Sequence, residues 1–263
     1  MDGRVLKQFI IGLVFVLVFG LIGYGIYSSL ATKASCVDGV KNGKEEGLDC
    51  GTLACGKSCE PNIMPLNIIS SQLLKVGQND YDFVAQISNP NTSYGASRIE
   101  YLIDSFGYRG FTYILPGQSK WIVVTTLKNT QEINEPKLAI KNVQWEKIDM
   151  PDNVVGFSLR RRDYRPIQVG TQFDGILYND SNYDFDRIDV AVILFSNDGD
   201  IVGVGKTDIR TFVSKTERGF SVVWPFNLSD EAVRENVEAS TNLFENSNFI
   251  KSYGSQEKFQ KFY

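Results

Sequence analysis

The chain has 263 residues, 27 of them basic and 31 acidic, a net charge of −4, and no histidine. The acidic balance argues against a nucleic-acid partner, which would want a basic face. The missing imidazole removes Ser-His-Asp and Cys-His catalysis and the common zinc and iron sites.

The amino end carries Arg4 and Lys7, and an uncharged run then extends from Phe9 to Leu30. Its length, about twenty residues at ~1.5 Å rise, matches the hydrocarbon thickness of a bilayer. The positive-inside bias keeps residues 1–7 as a cytoplasmic head, makes 8–30 a transmembrane helix and places the bulk of the chain outside the cell membrane. Tyr24 and Tyr27 fall where aromatic rings favour the far interface. A cleaved signal peptide, cut near Ala31 or Ala34, is the alternative; its apolar core would usually be only about 7–15 residues.

Residues 31–62 hold all four cysteines, Cys36, Cys50, Cys55 and Cys59. An even number clustered beside a membrane predicts a disulfide-rich module in an oxidising compartment. A four-thiolate zinc site would show two close cysteine pairs, and Cys36 to Cys50 is too open for one. The spacing leaves three connectivities open. So short a stretch cannot build a core, so covalent bridges replace burial. Asp38, Asn42, Glu45 and Asp49 place four oxygen-bearing side chains close together, a ligand type suited to calcium. The alternative is that Asp38-Gly39 and Asn42-Gly43 are turns with solvated carboxylates beside them. These residues resemble a small module of exported bacterial proteins with the pattern C-x-D-G-x-x-N-x-x-E-x-x-x-D-C-G-G. The match holds from Cys36 through Gly51 and departs at Thr52, where the module has a second glycine.

The remaining chain repeats itself. Phe83…Asn89 and Phe173…Asn179 share F-x5-N; Gly110-Phe-Thr112-Tyr-Ile114 matches Gly205-Lys-Thr207-Asp-Ile209; and Trp121-Ile-Val-Val124 matches Phe220-Ser-Val-Val223. Two related units are expected. Each is built of β-branched and aromatic runs with a turn signal about every ten residues, as in an antiparallel sandwich. The expected fold is therefore all-β: sandwich 1 over residues 63–149, sandwich 2 over 150–250, and a flexible tail over 251–263. The boundary is expected near Met150-Pro-Asp-Asn153. Phe83, Ile99, Tyr101 and Trp121 are expected inside the first core, and Phe173, Ile188, Val190 and Phe220 inside the second. Ser229–Asn236 reads as a short capped helix before the last strand.

The order of asparagine turn, I-x-V-x-V strand, D-G turn and G-x-T-x-I resembles the FxLYD-type immunoglobulin-like domains of bacterial extracellular proteins. Ile193-Leu-Phe-Ser-Asn-Asp-Gly199 stands where that family has its L-Y-D strand and turn. The resemblance implies an Ig-like β-sandwich outside a cell membrane and brings no catalytic residues.

Gly203-Val-Gly205-Lys206-Thr207 lacks the spacing of a phosphate loop. Arg160, Arg161, Arg162 and Arg165 form the dense basic stretch, a candidate surface for an acidic partner or an anionic envelope polymer. Charges on an edge strand that discourage edge pairing are the alternative. Trp121, Trp145 and Trp224 lie within strand patterns and are expected in cores rather than on a sugar-stacking face. Taken together, the residues predict a non-catalytic, membrane-anchored scaffold or subunit of a cell-envelope assembly, with protein partners and no small-molecule substrate. The alternative is a carbohydrate- or envelope-polymer-binding accessory module.

Overall fold

The computed structural model describes residues 3–30, 35–59, 61–130, 133, 136–148, 155–228 and 234–246. The expected domain boundary at 150–153, the tail at 251–263 and the cut sites Ala31 and Ala34 lie outside them. The described chain divides into two compact units, Met1–Asn62 and Ile63–Tyr263.

In the first unit, α1 runs Gly3–Leu30. Its stretch Lys7–Tyr27 has a mean hydropathy of 2.6, with none of it buried, and is long and apolar enough to cross a membrane. The cysteine module follows, with a single turn of helix, α2, at Thr52–Cys55. The four cysteines form two bridges, Cys36–Cys55 and Cys50–Cys59, which settles the pairing the spacing left open. The pairs interleave along the chain, so each bridge closes across the other's loop.

Among its described residues, the second unit contains twelve strands in four three-stranded antiparallel sheets. They are β1 Asn67–Lys75, β2 Asp80–Ser88, β3 Tyr94–Ile103, β4 Tyr108–Ile114, β5 Ser119–Lys128 and β6 Leu138–Lys147, then β7 Phe157–Pro166, β8 Thr171–Asn179, β9 Phe185–Phe195, β10 Ile201–Phe212, β11 Glu217–Trp224 and β12 Arg234–Ser240. Sheet orders β1-β2-β5 and β4-β3-β6 recur as β11-β8-β7 and β10-β9-β12, so advancing every strand by six maps one pair of sheets onto the other. The duplication read from sequence is thus a duplication of topology. Each pair encloses its own core. Phe83, Ile99, Tyr101 and Ile122 are buried in the first, and Phe173, Ile188, Val190 and Phe220 in the second.

The F-x5-N landmark has a physical basis. Asn89, at the end of β2, donates from Nδ2 to the carbonyls of Tyr94 (2.7 Å) and Leu115 (3.0 Å), while its Oδ1 accepts from the N–H of Asn91 (3.0 Å). Asn179, the last residue of β8, donates to Tyr183 O (2.9 Å) and Phe212 O (3.2 Å) and accepts from the N–H of Ser181 (3.0 Å). Each asparagine is buried. Each satisfies two carbonyls on the facing sheet's strand connections and so ties one sheet to the other, using the full donor capacity of the amide.

The other two landmarks are slipped. Pairing places Thr112 opposite Ile99 and Ile209 opposite Ile188, so the two G-x-T-x-I segments are displaced by two residues relative to each other. Gly110 and Gly205 nevertheless solve one problem: a Cβ would sit 2.2 Å from the Tyr101 ring at the first and 2.3 Å from Val222 at the second. Trp121 is off by one. Ile122 pairs with Ala85 as Phe220 pairs with Gly175, so Ile122, not Trp121, is the counterpart of Phe220. A one-residue slip reverses the face, and Trp121 accordingly packs outside the first core. Trp224 is buried in the second core, and Trp145 packs at the margin of the first. The expected helix at Ser229–Asn236 is corrected as well. Arg234, Glu235 and Asn236 open β12 and pair with β9, and residues 229–233 lie outside the described chain.

The outer face of β1-β2-β5 packs on the outer face of β10-β9-β12. Val84, Val123, Ile193 and Val204 are buried there, with Trp121, Ala191 and Phe195 around them. After β12, Leu243 and Phe244 are buried in a cluster that also takes in Leu115 and Ile148 of the first sandwich.

Replacing Asn179 by Ala should cost about 2–4 kcal/mol, because two buried carbonyls lose their donor. The exposed Asn142→Ala should stay within about 0.5 kcal/mol of the parent. Denaturant unfolding of the full chain in detergent measures both.

Candidate binding cleft between the two sandwiches

Beside the apolar patch, the sandwiches flank a half-open polar cleft of about 770 Å³. β3, β4 and β5 contribute Arg98, Phe111, Tyr113 and Lys120, while β9, β10 and β12 contribute Asp189, Lys206, Asp208 and Glu238. Several hydrogen bonds span the seam. The N–H of Trp121 donates to both carboxylate oxygens of Glu238 at 3.2 Å. The Tyr113 hydroxyl donates to Asp189 Oδ2 at 3.1 Å and lies within hydrogen-bonding distance of Ser240 Oγ, at 3.2 Å. Gln72 donates to the Ile201 carbonyl at 3.1 Å.

Lys120 is the outlier. It is 5% exposed, its Nζ lies 3.2 Å from the centroid of the Tyr113 ring, and among the described residues that nitrogen has no hydrogen-bond partner. Burial pulls its ammonium down to about 8 against the opposing pull of Asp189 and Glu238. Burial raises the carboxyl of Glu238 to about 7, opposed by the Trp121 N–H and by the Lys120 charge. Burial also raises the Tyr113 hydroxyl, helped by Asp189, which keeps it a neutral donor. The outer rim is ordinary surface chemistry. Arg98 lies 4.1 Å above the ring of Phe111, a ring that remains 57% exposed, and Arg187 pairs with Asp189 at 3.1 Å.

The residues singled out in the sequence lie elsewhere. Asp38, Asn42, Glu45 and Asp49 do come together in the cysteine module, and each is engaged there. The Asp49 carboxylate accepts from the N–H groups of Asp38 and Gly39, the latter at 2.9 Å. Asp38 accepts from the side-chain amide of Asn42 at 2.8 Å, and Glu45 from the Asn42 N–H at 3.3 Å. These are hydrogen bonds of capped turns, and a calcium ion would have to compete with them. Cys36, Glu45 and Cys55 also converge, but the two sulfurs are bonded to each other and offer no thiolate. Arg160, Arg161, Arg162 and Arg165 lie on β7, an edge strand. Arg160 faces Asp180 at 3.8 Å, Arg162 pairs with Glu235, and Arg165 with Asp163 and with Asp174 at 2.8 Å. Much of that charge is matched within the chain.

Sequence reasoning missed the cleft because it forms only when two sheets associate. One trace was available. β2 and β9 contain unbroken apolar stretches, Phe83-Val-Ala and Val190-Ala-Val-Ile-Leu-Phe195, where a strand with one wet face would alternate.

The chain matches no protein-family model and no curated protein.

The buried amine makes stability depend on pH with a definite sign. In the folded state Lys120 releases its proton near 8, while in the unfolded chain it holds it to about 10.4. Between these values the unfolded state binds the extra proton, so this group's contribution to stability rises with pH and its charging penalty is fully present below 8. Lys120→Met should therefore unfold at a temperature no lower than the parent at pH 7. Its advantage should shrink as the pH is raised from 8 to 10, as followed by thermal melts.

Proposed function

We propose that the chain is a non-catalytic, single-pass membrane protein whose amino-terminal head is cytoplasmic. Its cysteine module and twin sandwiches would stand outside the cell membrane as a scaffold or as a subunit of a cell-envelope assembly. One juxtaposition carries this reading. An apolar helix, exposed along Lys7–Tyr27, ends at Leu30, and every cysteine beyond it, from Cys36 onward, is bridged. Stable disulfides belong to oxidising compartments, and a helix of that length and hydropathy belongs in a bilayer. The sandwiches are read as Ig-like, related to the FxLYD-type domains, on the strength of the asparagine turns and the D-G turn at Asp198-Gly199. Protein partners in the envelope are expected. A non-catalytic role fits a chain without histidine or free thiol.

A second reading, an accessory module for a carbohydrate or envelope polymer, is favoured by the cleft: it is half-open, polar and rimmed by the exposed Phe111 ring.

Protease added to cells with a permeabilised outer envelope should digest everything beyond residue 31 and leave the helix in the membrane. Recovery of the sandwiches in the soluble exported fraction would mean that the helix is removed instead. Peptide mapping without reduction should recover Cys36 joined to Cys55 and Cys50 joined to Cys59, with four thiols becoming alkylatable only after reduction.

A further inference from the structure

We propose that the cleft between the sandwiches binds a neutral saccharide, with the Lys120 ammonium at its base donating to sugar oxygens and the Phe111 ring stacking against a sugar face. The proposal deepens the second reading above and rests on it; the anchor reading is decided separately by the protease experiment.

The starting observation is Lys120. An ammonium carries three donors and no acceptor, and a buried donor left unmade is costly. Here the nitrogen is buried over the Tyr113 ring with no acceptor among the described residues. Asp189 and Glu238 are close enough to act on its charge, yet neither is within ion-pair contact in the structure. The site therefore lacks an acceptor rather than a counter-charge. An uncharged oxygen supplies that.

The surroundings narrow the class further. Four cationic side chains line the cleft, Arg98, Lys120, Arg187 and Lys206, against five acidic ones. A carboxylate or phosphate ligand would satisfy the amine and be repelled by those acids. A hydroxyl both donates and accepts, so a polyol can bond to lysine and carboxylate in one pocket. Thr207 adds a neutral hydroxyl at the same lining. Phe111 adds an apolar platform, 57% exposed, with Arg98 over one face of the ring and the other left for a sugar. The volume, about 770 Å³, falls within the range of small-molecule sites.

The test uses the full chain in a detergent without a sugar headgroup, so that the detergent does not compete. Chitotriose, cellotriose, maltotriose and mannotriose are the neutral probes and trigalacturonate the anionic one, followed by saturation-transfer NMR and calorimetry. At least one neutral trisaccharide should bind saturably. Lys120→Met and Phe111→Ala should each weaken that binding by on the order of tenfold, with thermal unfolding no lower than the parent for Lys120→Met and little changed for the exposed Phe111→Ala. Saturable binding lost in both folded variants supports the site. No saturation by any neutral probe overturns it, as does binding indifferent to both substitutions. Preferential capture of trigalacturonate overturns the neutral class.

Discussion

Val84, Val123, Ile193 and Val204 close the gap between two sheets that each already carry a core on their other face. Much else follows from this contact. It makes the central strands β2 and β9 two-sided, with apolar residues on both faces. It also brings Trp121 to Glu238 and Tyr113 to Asp189, and so defines the cleft. Burial of apolar area supplies the adhesion, while the directional bonds at the seam fix the angle and register at which the faces meet. Without the patch, the polar groups of the cleft would belong to two separate surfaces.

Within each sandwich, a different device holds the sheets in place. A single buried asparagine amide reaches from the end of one strand to carbonyls on the facing connections, twice over with matching chemistry. The burial of Asn91 and Asn179, each followed by the residues of a glycosylation sequon, also removes them as folded-state acceptors. The sheets thus have a hydrogen-bonded stop as well as a greasy interior. This explains why the phenylalanine and asparagine landmarks agree in position when others do not.

Legibility in the sequence followed how local each interaction is. The asparagine turns, the strand spacing and the clustered cysteines are short-range chemistry, and the residues announced them. The slipped landmarks show where that stops. Trp121 and Phe220 look equivalent in a string of letters, but strand pairing moves one of them by a residue and sends the indole to the opposite face. At Arg234–Asn236 a helix-like composition yields to pairing with β9, because tertiary partners outweigh propensity. The module's acids were visible, though not their use as turn acceptors. Lys120, preceding Trp121 at the start of a strand, looks like an ordinary solvated lysine. Its burial depends on a sheet whose residues lie up to about 120 positions away.

The interleaved cysteine pairing has a consequence for biogenesis. If the module is exported as proposed, with the amino end left behind, the emerging chain presents Cys36 and then Cys50 before either of their true partners, Cys55 and Cys59. Oxidation in order of appearance would join Cys36 to Cys50, a pair absent from the finished module. Maturation therefore needs either a pause until the last cysteine is out or exchange of an early bond through a mixed disulfide. The cell would supply this step as an oxidant that waits or an isomerase that corrects, and the burden falls on the stretch nearest the membrane.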